Sequence, residues 1–267
     1  MNPMRSAIPL LVAVFGMVGC GSGGGDTRAA SSTAITPTVP GGVADINLLF
    51  IGNSHTMVND VSGTVASMMR ASNPQKSVTV AVAPSSTHLQ EHSTDPSTLA
   101  LLQSRRWSAV ILQAQNYSLS GQTFYPTSGA ESLVRMARQQ GAVPILFPEW
   151  PRRGINETQL IFATYVTIAR NESACVPPIP QAFDLAASRY PAITLLDADG
   201  NHSAPAGAFL GAAMLFATIT GVSPNTLPTL VQAGVDGGTQ RSLNQVATES
   251  VAAISTRAWC PADPFVR

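Results

Sequence analysis

Charged side chains are scarce in this sequence: they make up 11% of its 267 residues, and 15 basic groups are cancelled by 15 acidic ones. Lys and Arg are clustered nowhere along it. That argues against nucleic acid as a partner, because neutralising phosphates requires grouped cations. Beyond the N-terminal segment there is no hydrophobic run long enough to span a bilayer as a helix. Internal repeats are missing too, and nothing marks a second domain, so the length fits one large domain. Cysteine is sparse: Cys20, Cys175 and Cys260 are the only three. None sits in a zinc or redox spacing, and Cys175 and Cys260 could either pair in an oxidising compartment or stay separate buried thiols. What is plentiful is apolar bulk. At 45% hydrophobic residues the chain can build a sizeable core, which excludes wholesale disorder.

The N-terminus reads as a targeting segment. Arg5 supplies a positive start, and Ile8–Val18 is apolar but too short for a permanent membrane helix. It ends in Met17-Val18-Gly19-Cys20, which resembles a bacterial lipobox. The resemblance implies a signal peptide over 1–19, lipidation of Cys20, and attachment to a membrane of the bacterial cell envelope. The other reading is an ordinary secretory signal cut near Ala29-Ala30. Residues 20–44, rich in Gly, Ser, Thr and Pro, read as a tether ahead of a domain over 45–267.

Within that domain, short apolar runs alternate with amphipathic ones. Strands are expected at Ile46–Ile51, Val78–Ala83, Ala109–Leu112, Val143–Phe147 and Ile193–Leu196. These are aliphatic runs rather than strict alternations, as suits strands of a parallel sheet buried on both faces. Helical periodicity fits Val61–Arg70, Gly129–Gln140, Glu157–Arg170, Gln181–Arg189, Ala206–Thr220 and Gln240–Arg257, with Gly141 and Gly221 as helix stops. Strands and helices taking turns imply a doubly wound α/β domain, whose ligands sit beyond the carboxyl ends of the strands.

The strand ends are therefore where chemistry is sought. The first strand runs into Gly52-Asn53-Ser54-His55-Thr56. A polar turn followed by a helix lets a Ser hydroxyl project over the sheet edge, with N–H groups of the helix start facing the same space. Alone, this segment reads equally well as a helix cap. The expected last strand runs into Asp197-Ala198-Asp199-Gly200-Asn201-His202. A Ser nucleophile needs a base, and the base needs an anion to hold its tautomer. Asp199 and His202 supply both from one loop on the same edge as Ser54; Asp197, at the strand's end, is the less convenient carboxylate.

These blocks resemble the SGNH (GDSL-like) hydrolase superfamily, which places its Ser after the first strand and an Asp-x-x-His pair near the C-terminus. The nearer likeness is to a bacterial branch with poorly defined substrates. That branch carries Gly-Asn-Ser-(aromatic)-Thr and His-Pro-Ser-x-x-Gly-Ala-Tyr-Leu-Ala, against Gly52–Thr56 and His202–Gly211 here. Gln113-Ala114-Gln115, Pro177–Phe183 and Thr220–Pro224 echo it further. The resemblance implies a three-layer α/β/α sandwich with a mainly parallel five-stranded, flavodoxin-like sheet. It also implies a Ser54/His202/Asp199 triad needing no metal or organic cofactor. The oxyanion would be held by the N–H of Ser54, the N–H near Ser86, and the side chain of Asn116 or alternatively Gln115. One departure stands out: Pro84-Ser85-Ser86-Thr87-His88-Leu89 lacks the glycine that the superfamily's second block provides, which narrows the pocket. Carboxylic esters are the expected substrates, short acyl esters and carbohydrate O-acetyl groups foremost, acted on by a monomer. Trp150 and Tyr125 are candidates for lining a pocket, or equally for packing.

Two other functions compete. A surface lipoprotein could use this fold merely to bind a glycan, its hydrolase site decayed. And His88-Leu89-Gln90-Glu91-His92 fits His-x-x-Glu-His, in which two histidines four apart on a helix bind zinc. Pro84 and Pro96 leave that helix barely two turns, and no third ligand is marked. Purified protein is accordingly expected to carry no stoichiometric zinc and to keep its activity in chelator; bound zinc with chelator-sensitive activity would overturn the esterase reading.

Overall fold

The computed structural model describes residues 44–83 and 87–267. Cys20 and Ser86 lie outside them. Ile46–Ile51 (β1) is buried at every position, and its side chains alternate between two cores: Leu48 and Phe50 enter one, Leu49 and Ile51 the other. Val78–Val82 (β2), Ala109–Leu112 (β3) and Val143–Leu146 (β4) complete a sheet of order β2-β1-β3-β4. All its pairings are parallel. Such strands need cover on both faces, and the helices give it.

In chain order the helices are Ser54–Met57 (α1), Val61–Ser72 (α2), Leu89–His92 (α3), Pro96–Gln103 (α4), Ser128–Gln139 (α5), Thr158–Asn171 (α6), Ile179–Arg189 (α7), Pro205–Thr220 (α8) and Gly237–Ala253 (α9). The first core takes its helical side chains from α2, α7, α8 and α9, the second from α3, α4, α5 and α6. The result is a three-layer α/β/α sandwich. The helix stops at Gly141 and Gly221 adopt the expected left-handed φ, +77° and +69°. Among the described residues no helix is long and apolar enough to cross a membrane.

The sheet has four strands, not five. The edge of β4 is occupied by the chain around Cys175: the Leu146 N–H donates to the Cys175 carbonyl and the Cys175 N–H to that of Pro144. Ile193–Leu196, expected there as a strand, instead folds back on itself through one antiparallel bridge between Leu196 and Ser203. The outward carbonyls of Leu196 and Asp197 accept from the Arg153 guanidinium at 3.0 and 2.6 Å.

Helix α8 follows immediately. It is apolar all round and buried from Gly207 to Thr220, so it forms the centre of its layer. A Cβ at Gly207 would run into the Leu195 carbonyl oxygen, so glycine is what lets this helix lie directly on the folded-back segment.

Cys175 and Cys260 are joined in a disulfide across 85 residues of sequence. It ties the C-terminal tail to the segment that occupies the β4 edge. Such a long closed loop restricts the unfolded chain strongly. Replacing both cysteines by serine is expected to lower the unfolding free energy by about 2–4 kcal/mol in urea titration.

Candidate active site

Ser54 opens α1 directly beyond β1. Its neighbour Asn53 is the helix cap: Asn53 Oδ1 accepts from the His55 N–H at 3.1 Å, leaving the Ser54 hydroxyl free of capping duty. Gly52 has no room for a side chain, since a Cβ would collide with Thr56 Oγ1 and Gln113 Oε1. Through that gap Gln113, at the end of β3, accepts from the Asn53 N–H and from the Thr56 hydroxyl, both at 3.0 Å. The turn bearing Ser54 is thereby fixed to the neighbouring strand.

The 197–203 turn arrives from the other side. Its closure is local: the Asp197 N–H donates to the His202 carbonyl, and Asp199 Oδ1 accepts from the N–H groups of Asn201 and His202 at 2.9 and 3.0 Å. The other oxygen, Asp199 Oδ2, lies 2.6 Å from His202 Nδ1, and His202 Nε2 lies 2.8 Å from Ser54 Oγ. The His202 side-chain bond and the two N–H donors hold the Asp199 carboxyl at about 2, below its ordinary range, so it is ionised at neutral pH. An ionised carboxylate only accepts, which places the imidazole proton on Nδ1 and leaves the Nε2 lone pair for the Ser54 proton. Asp199, not Asp197, faces the ring.

Three further contacts hold this turn. Trp150 Nε1 donates to the Asn201 carbonyl at 2.9 Å, the Arg153 N–H donates to that of Gly200, and Asn59 Nδ2 donates to that of Ser203 at 2.6 Å. His55 stacks on His202 with ring centroids 5.1 Å apart and tilts against Trp150 at 5.5 Å. Burial, and then the proximity of His202, push the His55 imidazole down to about 4, so it stays neutral beside His202. Trp150 itself is 1% exposed and stacks on Phe183. It both packs and lines the cavity described next.

A cavity of about 220 Å³ opens beside this arrangement, lined by Asn53 and His55 on one side and by Asn116, Glu149, Arg152 and Asn201 around it. Gln115 also lines it, but both hydrogens of its amide go to the carbonyls of Asn116 and Pro126. That leaves Gln115 no donor for an oxyanion. A larger cavity of about 700 Å³ lies across the 151–156 segment, and Arg152 lines both; Ser54, Asp199 and His202 line neither, the smaller one meeting their chain neighbours Asn53, His55 and Asn201. Tyr125 is partly exposed and lines a separate small cavity with His88 and Asn116.

The zinc motif is not assembled. His92 is buried in the one-turn helix α3, its nitrogens 2.9 Å from Thr98 Oγ1 and 3.1 Å from the Gly52 carbonyl, while His88 precedes that helix. His92 thus supports the strand end that leads to Ser54. Among the described residues, the cluster with metal-ligand proximity is Cys175, Cys260 and Asp263, and its two sulfurs are bonded to each other.

Sequence reasoning missed His55, Arg153 and Glu149. Glu149 carried a signal, since it follows β4 by three residues. Arg153 carried none, because its partners are backbone carbonyls of a turn 43 and 44 residues away.

No family model matches the chain and no curated protein matches it either. Solved structures do. A DUF4886 family protein from Bacteroides uniformis is 15% identical over 78% of this chain and 95% of its own, with a TM-score of 0.60. A protein from Slackia heliotrinireducens, proposed to be an SGNH hydrolase, is 24% identical over 64% of this chain and 97% of its own, with a TM-score of 0.51. At these identities what is shared is the fold, a parallel-sheet α/β/α sandwich.

Neutral His55 generates a stability prediction. Its pKa is about 4 in the fold, against an ordinary 6.5, so the unfolded chain binds its proton first on acidification. The stability it contributes is complete above pH 6.5 and is lost as pH falls towards 4. Glu149, whose pKa is raised, titrates with the opposite sign over an overlapping range, so the comparison must be variant against wild type. His55→Phe keeps a ring in the stack; on moving from pH 7.5 to 4 it is expected to lose less stability than wild type, by up to about 3 kcal/mol in denaturant titration.

Proposed function

We propose that this chain is a serine esterase of the SGNH type, hydrolysing carboxylic esters by acyl transfer to water. The observation that carries the reading is the Ser54–His202–Asp199 relay: a 2.8 Å contact joins Ser54 to His202, 148 residues away in sequence, and a 2.6 Å contact joins His202 to Asp199. Shared fold and the resemblance of the first and last blocks support it.

In this reading His202 Nε2 takes the Ser54 proton as Oγ attacks the ester carbonyl, and Asp199 steadies the imidazolium. The tetrahedral oxyanion is met by the N–H of Ser54, which as the first residue of α1 has no intrahelical acceptor. The side chain of Asn116 and the N–H of Ser86 complete that site. Collapse expels the alcohol, protonated by His202. Water then enters, gives its proton to His202 and releases the acid. Short acyl groups, O-acetyl on carbohydrate foremost, are the substrates we favour, because the cavity beside Ser54 is small and polar. Lipidation of Cys20 would hold a monomeric enzyme at the cell envelope, near glycan esters.

Ser54→Ala is expected to reduce turnover of p-nitrophenyl acetate by about 10⁴-fold or more. A fluorophosphonate probe should label the wild-type protein and not this variant. An unlabelled wild type would instead favour the glycan-binding lipoprotein.

A further inference from the structure

A carboxyl group is buried at the floor of the cavity beside Ser54, and neither the triad nor the oxyanion site uses it. Glu149 is 8% exposed, and what remains exposed opens on that cavity, which it lines. One of its oxygens, Oε2, accepts from the Tyr165 hydroxyl at 2.8 Å. Tyr165 in turn accepts from the N–H groups of Ala114 and Gln115 at 3.1 and 3.0 Å.

No Lys or Arg pairs with Glu149 among the described residues. Arg152, the nearest candidate in the cavity wall, is already forked onto Glu157, whose side chain is fully buried. Burying a carboxyl without a cation is unfavourable by several kcal/mol. Holding Tyr165 does not require it, because an amide oxygen would accept the same hydrogen bond. Burial pushes Glu149 up to about 7 against the pull of the Tyr165 hydroxyl. Near neutral pH it is therefore poised both to accept and to donate a hydrogen bond.

The rest of the cavity narrows the ligand. Arg152 shares the wall, which disfavours a cationic ligand, and Glu149 disfavours an anionic one. Amides of Asn53, Asn116 and Asn201 and the Tyr117 hydroxyl supply neutral polar groups around it. The volume, about 220 Å³, falls below the range typical of drug-sized sites and suits a small polar group.

We infer that Glu149 is a specificity-determining residue whose carboxyl binds hydroxyl groups of a neutral polyol or single sugar ring forming the alcohol half of the ester. This rests on the esterase reading above, with Ser54 as nucleophile.

The test compares two acetate esters that differ only in the alcohol: a mono-O-acetylated glucose and p-nitrophenyl acetate. Glu149→Gln preserves the shape of the side chain and an acceptor for Tyr165. It is expected to raise KM for the acetylated sugar tenfold or more, with kcat within about threefold and kcat/KM for p-nitrophenyl acetate within about twofold. Equal effects on both esters, or none on either, would overturn the assignment. Should the variant fail to fold, the wild-type protein still decides: methyl glucoside should inhibit p-nitrophenyl acetate hydrolysis competitively, and no inhibition at high millimolar concentration counts against it. Ser54-dependent hydrolysis of the aryl acetate with none of the acetylated sugar would sink the polyol inference and leave the esterase standing. A protein that cleaves neither ester and takes up no fluorophosphonate removes both.

Discussion

His202 can serve Ser54 only while the turn from Leu196 to Ser203 stays shut against the end of β1. The two segments are far apart in sequence, and a loop left to itself would sample many positions of the ring. Here the turn is closed internally by the Leu196–Ser203 bridge and by Asp199, which binds two backbone N–H groups as well as the imidazole. It is closed externally by Trp150, Arg153 and Asn59, all of which donate to its carbonyls. The Arg153 guanidinium also takes the carbonyls of Leu196 and Asp197, fixing the start of the turn. Gly207 completes it by letting α8 press on the Leu195 carbonyl from beneath.

The end of β3 is held with comparable economy. Ala114 has φ +83°, a left-handed conformation that a residue with a Cβ adopts at some strain. Hydrogen bonds on both sides keep it there: its carbonyl accepts from the Leu89 N–H, and its own N–H donates to the Tyr165 hydroxyl. The reversal turns Gln115 inward and carries Asn116 to the cavity wall. Tyr165 thus links the backbone that presents Asn116 to the Glu149 carboxyl, and one hydroxyl organises two sides of the cavity.

The layers and the relay residues were legible because their signals are local. Aliphatic runs bounded by polar turns placed β1 and β3 to the residue, and β2 and β4 each ended one residue early. Ser54 and the Asp199/His202 pair followed from asking what lies beyond strands. Ile193–Leu196 was misjudged because its apolar pattern is real, its side chains packing into the first core, while its hydrogen bonds go elsewhere. Periodicity reports side chains; it says nothing of where the backbone finds its partners. The Cys175–Cys260 bond decided the β4 edge, and the sequence left that pairing open.

Charge placement carries the last distinction. Asp199 and Glu149 are the same chemical group near one site, yet their environments drive them apart. Asp199 is half exposed and surrounded by N–H donors, so it stays ionised and can stabilise an imidazolium. Glu149 is enclosed, without a cation, and is held near neutrality. A chain with so few charges has little else to screen one from the other, and so their separation falls to burial.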